Sequence, residues 1–78
     1  PNPAKSIFML SLILNHPAKV RTALYNIVGN EILTLPDQDL TVGQYEQKVD
    51  IDGVAPGCYF FKITNGSSVI TKKIFVTE

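Results

Sequence analysis

Residues 56–77 read PGCYFFKITNGSSVITKKIFVT, and this stretch decides the fold. It contains two apolar runs, residues 58–64 and 69–77, separated by Asn65-Gly66. Asn-Gly between two β-rich runs favours a type I′ turn, because both central residues of that turn need a positive φ. Pro56-Gly57 suits a type II turn, whose second central residue has a positive φ. The stretch therefore predicts an antiparallel β-hairpin.

The first run of this hairpin alternates between two faces. Tyr59, Phe61 and Ile63 share one face of a strand, which we expect to be turned toward the core. Tyr59 is therefore interpreted as a core aromatic residue whose hydroxyl group is hydrogen-bonded near a corner of the fold. Cys58 has the opposite parity and is expected to face outward.

Turn signals divide the rest of the chain at strand-sized intervals. No segment shows the helical period over a useful length, whereas residues 45–51 alternate as a half-buried antiparallel strand does. The pattern predicts a small all-β sandwich. The other predicted strands are residues 6–14, 19–25, 31–35 and 69–77, with turns at residues 15–18, 36–39 and 41–43.

Residues 26–29, Asn-Ile-Val-Gly, predict a four-residue loop between two strands. The Asn26 side chain can fold onto the backbone, and Gly29 can adopt the left-handed conformation that ends such a loop. A turn role is sufficient to explain both Gly29 and Gly57, and direct contact with a partner is the weaker alternative.

The first predicted strand is apolar on both faces. Ile7, Met9 and Ile13 fall on one side, and the other side carries its own apolar row. A two-layer sandwich buries only one face of a strand. The other face is therefore either covered by the parent protein or a second copy, or makes the strand an aggregation hazard. We expect the isolated chain to self-associate through this strand or to be insoluble at moderate concentration. The residues expected to mediate this association are Phe8, Leu10 and Leu12 or their neighbours on the opposite face.

Length and composition indicate one small domain. A chain of 78 residues buries only about 60% of the surface that it exposes when unfolded, and the 45% apolar content supplies the core. A single cysteine allows no intrachain disulfide, and the lone His16 with scattered carboxylates forms no metal-ligand cluster. We predict no cofactor or metal, a linker exit with an opening motif at residues 1–5, and a single sandwich domain at residues 6–78.

Charge and hydropathy exclude two further classes. Seven basic and seven acidic residues give a net charge of zero, and the basic stripe typical of nucleic-acid binders is missing. The longest apolar stretch, residues 7–14, is far shorter than the roughly 20 residues that a spanning helix needs. It also lacks the basic leader and cleavage site of a signal peptide.

Two acidic residues and the cysteine are the only candidates for chemistry. Asp50 and Asp52 lie two residues apart on one face, but nothing supplies the further oxygen ligands that calcium requires. Asp52 is therefore interpreted as a turn cap. Cys58 has His16 as the only available base, and no further residue completes a nucleophile motif, so no enzymatic activity is predicted.

Five short motifs together resemble the type A C-terminal sorting domain of cargo proteins that Bacteroidota export through the type IX (Por) secretion system. The resemblance covers nearly the whole chain. Gly53 departs from it, since the family often carries an apolar or small polar residue there, and Val54 is expected to supply the core contact instead. The motifs are Pro1-Asn2-Pro3-Ala4, Leu24-Tyr25-Asn26-Ile27-Val28-Gly29, Ile51-Asp52, Pro56-Gly57-Cys58-Tyr59-Phe60 and Thr71-Lys72-Lys73-Ile74.

The resemblance implies an immunoglobulin-like antiparallel sandwich of about seven short strands, attached to an upstream cargo domain. It implies folding in the periplasm and recognition by the outer-membrane translocon. In the family the domain is often, though not always, removed at the cell surface by a sortase-like cysteine peptidase, which attaches the cargo to anionic lipopolysaccharide. The resemblance implies either this removal or retention of the domain here. The domain would act as a sorting signal without chemistry of its own, and the gene is expected to stop at or near Glu78.

Lys72 and Lys73 illustrate the choice between two interpretations. They belong either to a solvated edge strand that deters pairing with other chains, or to a recognition surface for the translocon. The alternative to a sorting signal is a generic accessory module of a surface protein, which spaces other domains or binds carbohydrate. The candidate recognition residues are Pro1, Asn2, Pro3, Gly29, Asp52, Gly57, Tyr59, Asn65, Gly66, Lys72 and Lys73.

Overall fold

Seven antiparallel strands in two sheets make up the fold. A computed structural model describes residues 7–77 of the chain. These residues include no helix with the length and apolar character needed to cross a membrane. The predicted all-β, immunoglobulin-like sandwich is confirmed. The strands are β1 (Ile7–Leu14), β2 (Ala18–Asn26), β3 (Glu31–Thr34), β4 (Gln38–Leu40), β5 (Gly43–Asp50), β6 (Gly57–Asn65) and β7 (Ser68–Val76).

The larger sheet has five strands, with β6 between β2 and β7. On its other edge, β2 pairs with β3 near Leu24 and with β4 near Lys19. The turn predicted at residues 36–39 is therefore partly wrong, because β4 begins at Gln38. Pro36 lacks a backbone N–H and interrupts the pairing, after which the chain resumes beside the same strand.

Within residues 7–77 the smaller sheet contains only β1 and β5, and the core lies between the two layers. Leu24, Phe61 and Val49 have no exposed surface, and the rings of Phe8 and Phe61 meet at 5.2 Å between centroids. The alternation predicted for β6 is confirmed, since its three inward residues are all buried. The two strands of the smaller sheet do not cover the whole inner face of the five-stranded sheet. A groove of about 530 Å³ therefore opens beside Leu40.

The hairpin of β6 and β7 is present, but its turn lies one residue later than the prediction. Asn65 pairs with Ser68, so the central residues are Gly66 and Ser67. Gly66 has a φ of 62°, whereas no described residue other than glycine has a positive φ. A positive φ at the first central position alone is the pattern of a type II′ turn, which also matches the strand twist.

The type II turn predicted at Pro56-Gly57 lies instead at residues 51–54. The Val54 N–H donates to the Ile51 carbonyl at 3.0 Å, and Gly53 between them has a φ of 88°. This is the φ of the second central residue of a type II turn. Gly57, where that turn was predicted, instead begins β6 with a φ of 156°. Val54 packs against the core, as expected from the departure at Gly53.

Only one face of β1 is buried. Leu10 and Leu14 are buried, and Phe8 and Leu12 are partly buried against the core. The opposite row, formed by Ile7, Met9 and Ile13, is exposed. Both faces of β1 are therefore apolar, as predicted. The residues available for association are the exposed ones, Ile7, Met9 and Ile13, and not Phe8, Leu10 and Leu12.

Candidate functional site

The outer face of the larger sheet carries three aromatic rings and two lysines on adjacent strands. Tyr25 of β2 lies opposite Phe60 of β6, which in turn lies opposite Lys73 of β7. Lys62 and Phe75 have the same outward parity. We call Tyr25, Phe60, Lys62, Lys73 and Phe75 the aromatic-lysine face.

Both lysines of this face lie over aromatic rings. The Lys62 Nζ is 5.6 Å from the Tyr25 ring centroid, and the Lys73 Nζ is 5.7 Å from that of Phe75. At these distances the ring quadrupole attracts the cation and holds it against the sheet. Phe75 itself is 69% exposed, so its ring is accessible to a partner. The face thus presents positioned positive charge together with apolar surface, a composition suited to binding.

Three of the five motif segments meet at one point of this face. A depression of about 360 Å³ lies between β2, β6 and the loop that follows β2. Tyr25 and Gly29 come from one motif, Phe60 from a second and Thr71 from a third. The pairing of β2 with β6 and of β6 with β7 brings together segments that are far apart in sequence.

The loop that follows β2 has the predicted geometry. The Asn26 Oδ1 accepts hydrogen bonds from the N–H groups of Val28 at 3.1 Å and Asn30 at 2.9 Å. Gly29 has a φ of 90°, as predicted for the residue that ends the loop. A Cβ atom at Gly29 would meet no heavy atom within 4 Å, so the preference for glycine there comes from its positive φ and not from packing.

The two adjacent lysines point to opposite faces. Lys73 lies on the aromatic-lysine face, whereas Lys72 shares the inward parity of Ile74. Lys72 is nevertheless exposed, because β7 is the edge strand of its sheet and this part of it is uncovered. The pair therefore divides between the two predicted roles: Lys72 fits a solvated edge strand, and Lys73 belongs to the candidate recognition face.

Tyr59 is a buried structural residue, as interpreted from the sequence. It is 8% exposed, and its hydroxyl group donates to the Ala55 carbonyl at 2.7 Å. A tyrosine that bonds back to the backbone just upstream is typical of corners in immunoglobulin-like sandwiches. A Cβ atom at Gly57 would lie 3.6 Å from the Tyr59 ring, so the two residues are packed together.

The same corner occurs a second time, which the sequence analysis missed. The Tyr45 hydroxyl donates to the Thr41 carbonyl at 2.8 Å, and the ring lies against Gly43. Both corners have the pattern Gly-x-Tyr at the start of a strand, with the acceptor four residues before the tyrosine. The repeated Gly-x-Tyr spacing was the available signal.

Replacing Tyr59 with phenylalanine is expected to lower the free energy of unfolding by about 0.5–1.5 kcal/mol, because the partly buried hydrogen bond to the Ala55 carbonyl is lost. Tyr45→Phe is the matched control and should cost less, since water can replace the hydroxyl group at that more exposed corner. Urea denaturation of both variants measures the difference. Equal losses of free energy of unfolding in the two variants would show that burial does not determine how much each hydrogen bond contributes to stability.

The acidic pair caps a turn, but with the roles exchanged. The Asp52 N–H donates to the Asp50 Oδ1 at 2.9 Å, so Asp50 and not Asp52 provides the capping oxygen. Asp52 instead occupies the first central position of the turn that contains Gly53. In the part of the chain that the structure describes, no group of three or more His, Cys, Asp or Glu residues is placed to hold a metal ion.

Cys58 and His16 lie at opposite ends of β6. Cys58 pairs with Phe75 near the start of the strand, whereas His16 lines a depression with Asn65 and Gly66 at its end. Seven residues of extended strand correspond to roughly 23 Å at about 3.3 Å per residue. The two groups are therefore too far apart to act as a nucleophile and its base.

One ion pair fixes the edge of the larger sheet. Arg21 Nε lies 3.1 Å from Asp37 Oδ1, which joins β2 to the segment before β4. The hydrogen bond from the Arg21 guanidinium lowers the pKa of the Asp37 carboxyl. The same hydrogen bond raises the pKa of Arg21. Pro1, Asn2 and Pro3, the remaining candidate residues, lie outside the described residues.

Comparison with known proteins identifies the family. The family model described as the secretion system C-terminal sorting domain matches residues 1–77. The comparisons with curated proteins and with solved structures found no match. Because the family model covers nearly the whole chain, this protein belongs to the C-terminal sorting domains and is a sorting signal of type IX secretion.

Proposed function

We propose that this domain directs an attached cargo protein across the outer membrane through the type IX secretion system. The cargo would pass through the periplasm and end at the cell surface or in the medium. The match to the sorting-domain family over residues 1–77 is the observation that carries the proposal. The domain contributes recognition, and the cargo contributes any activity.

The aromatic-lysine face is the surface that we propose for contact with the outer-membrane translocon. It unites three of the motif segments, and its lysines are held in place by the rings beneath them. A translocon surface with acidic groups around an apolar patch would complement it. The sortase-like cysteine peptidase would then act on the linker exit at residues 1–5, which joins the domain to its cargo.

One observation favours the rival function of a carbohydrate-binding module more than the sequence did. Tyr25, Phe60 and Phe75 all face outward, and flat aromatic rings are suited to stacking against sugars. In NMR titrations, a binding module of this kind would show shifts at Tyr25 and Phe60 with soluble oligosaccharides and no translocon. Such shifts would count against a translocon-specific role for this face.

A fusion experiment tests the proposed function. Residues 1–78 are placed behind a reporter protein that folds in the periplasm of a host with a functional type IX system. We expect the reporter at the cell surface or in the medium, and in the periplasm of a matched host that lacks the translocon. Retention of the reporter in the periplasm of both hosts would contradict the proposal.

A further inference from the structure

The outer face of the smaller sheet is apolar along β1 and charged along β5. Ile7, Met9 and Ile13 are 51%, 48% and 63% exposed, although each is a large apolar side chain. The register of the pair places Ile7 beside Asp50, Met9 beside Lys48, Ser11 beside Glu46 and Ile13 beside Gln44. Apolar and charged residues thus form two parallel rows on one exposed surface.

We propose that this surface binds the same surface of a second copy of the chain. In this arrangement the two small sheets pack face to face, related by a two-fold axis that passes through the rung formed by Leu10 and Gln47. The axis is perpendicular to the strands, so β1 lies on β1 and β5 lies on β5 in antiparallel orientation. Two aligned sheets packed in this way are about 10 Å apart.

The charged row is self-complementary about this axis. Glu46 of one copy meets Lys48 of the other, and the two-fold symmetry repeats the contact. Asp50 in the same way meets the neutral Gln44. Every charged residue of the row therefore meets either an opposite charge or an amide.

The apolar row is equally matched by the same operation. Ile7 of one copy lies on Ile13 of the other, and Met9 lies on Ser11. A shallow depression of about 150 Å³ between Ser11, Ile13 and Glu46 is positioned to receive Ile7 or Met9 of the second copy. Three exposed apolar side chains from each chain would be removed from water.

Other placements of the axis match the two rows less well. Moving the axis to Glu46 places this carboxylate against its own copy, and moving it to Lys48 does the same for the lysine. An axis parallel to the strands would bury the charged row of β5 against the apolar row of β1. An axis at the rung of Phe8 and Val49 would still pair Lys48 with Asp50, but Ile13 would then lie beyond the β1 strand of the other copy. The arrangement centred on Leu10 and Gln47 pairs Glu46 with Lys48 and also covers all three exposed apolar residues of β1.

Charge reversal tests this arrangement. Sedimentation equilibrium of the 78-residue chain should show a dimer, and either Glu46→Lys or Lys48→Glu alone should raise its dissociation constant about tenfold, because each creates two like-charge pairs. Mixing the two single variants should restore association, since every contact then joins opposite charges. The double variant Glu46→Lys/Lys48→Glu should also associate as the unchanged chain does.

Three outcomes would overturn the proposal. A chain that stays monomeric at the concentrations used for NMR has no such interface. Dimers unaffected by the single reversals would pair through strand edges, where side-chain charge is not matched in this way. A mixture that associates no better than its components would exclude the two-fold axis. Circular dichroism of each variant confirms that the β-structure is retained, so that none of these results reflects unfolding.

Discussion

Replacing Phe61 with alanine is expected to destabilise the whole domain strongly. The Phe61 side chain has no exposed surface and packs against the Phe8 ring across the two sheets. Truncation of a buried phenylalanine costs about 3–5 kcal/mol. A domain of 78 residues has a total stability of roughly 4–12 kcal/mol at about 0.05–0.15 kcal/mol per residue. The substitution therefore removes a large part of the stability, or all of it.

Phe75→Ala is the matched control for this prediction. Phe75 belongs to the same hairpin but is 69% exposed on the opposite face. Its removal should change the free energy of unfolding by less than about 0.5 kcal/mol, as is usual for surface positions. Urea denaturation followed by circular dichroism measures both variants. A loss of free energy of unfolding well below the roughly 3–5 kcal/mol typical of a buried ring, no larger than that of Phe75→Ala, would contradict the described core.

Reversing the charge of both lysines on the aromatic-lysine face is expected to abolish export of the reporter while leaving the domain folded. In Lys62→Glu/Lys73→Glu, two cations held over aromatic rings become carboxylates, which the negative ring faces repel. An acidic partner surface would then face like charge, and such juxtaposition strongly suppresses association. The measurement is the fraction of reporter in the medium and at the surface, relative to the fraction in the periplasm.

Lys72→Glu is the control for the single variant Lys73→Glu, because it makes the same change of charge at an adjacent, exposed position of opposite parity. It should reduce export far less than Lys73→Glu does. Thermal denaturation of all variants separates loss of recognition from loss of folding. Equal defects in the two single variants would show that net charge matters and that the face does not. Normal export of the double variant would show that the aromatic-lysine face is not the surface that contacts the translocon.

The elements of the fold were predictable wherever side-chain burial alone determines them. The two-residue period of β6 gave the inward side of Tyr59 and Phe61, because alternation depends only on the strand geometry. The positions of the turns were less predictable. Asn65 was expected to take a positive φ, yet the structure assigns this conformation to Gly66, which accepts it without a Cβ atom. Pairing across the whole hairpin selects between such neighbouring turns.

The candidate site was harder to predict because it depends on which strands are neighbours. Tyr25, Phe60 and Lys73 each occur in a different motif, and the sequence indicated each motif separately. Their common surface arises only when β6 lies between β2 and β7. Nothing in the sequence therefore groups these residues on one surface, and the difference between Lys72 and Lys73 followed only from parity within β7.

The unequal layers of this sandwich also determine how it would respond to mechanical load. In the part of the chain that the structure describes, β1 is hydrogen-bonded to β5 alone, whereas β6 is bonded on both sides. Tension applied through the residues that precede β1 would reach a strand held by a single neighbour and would strip it away first. The remaining five-stranded sheet, with its outward rings and lysines, would keep its backbone ladder while that strand detaches. Under such tension β1 would thus detach before the surface proposed to contact the export machinery is lost.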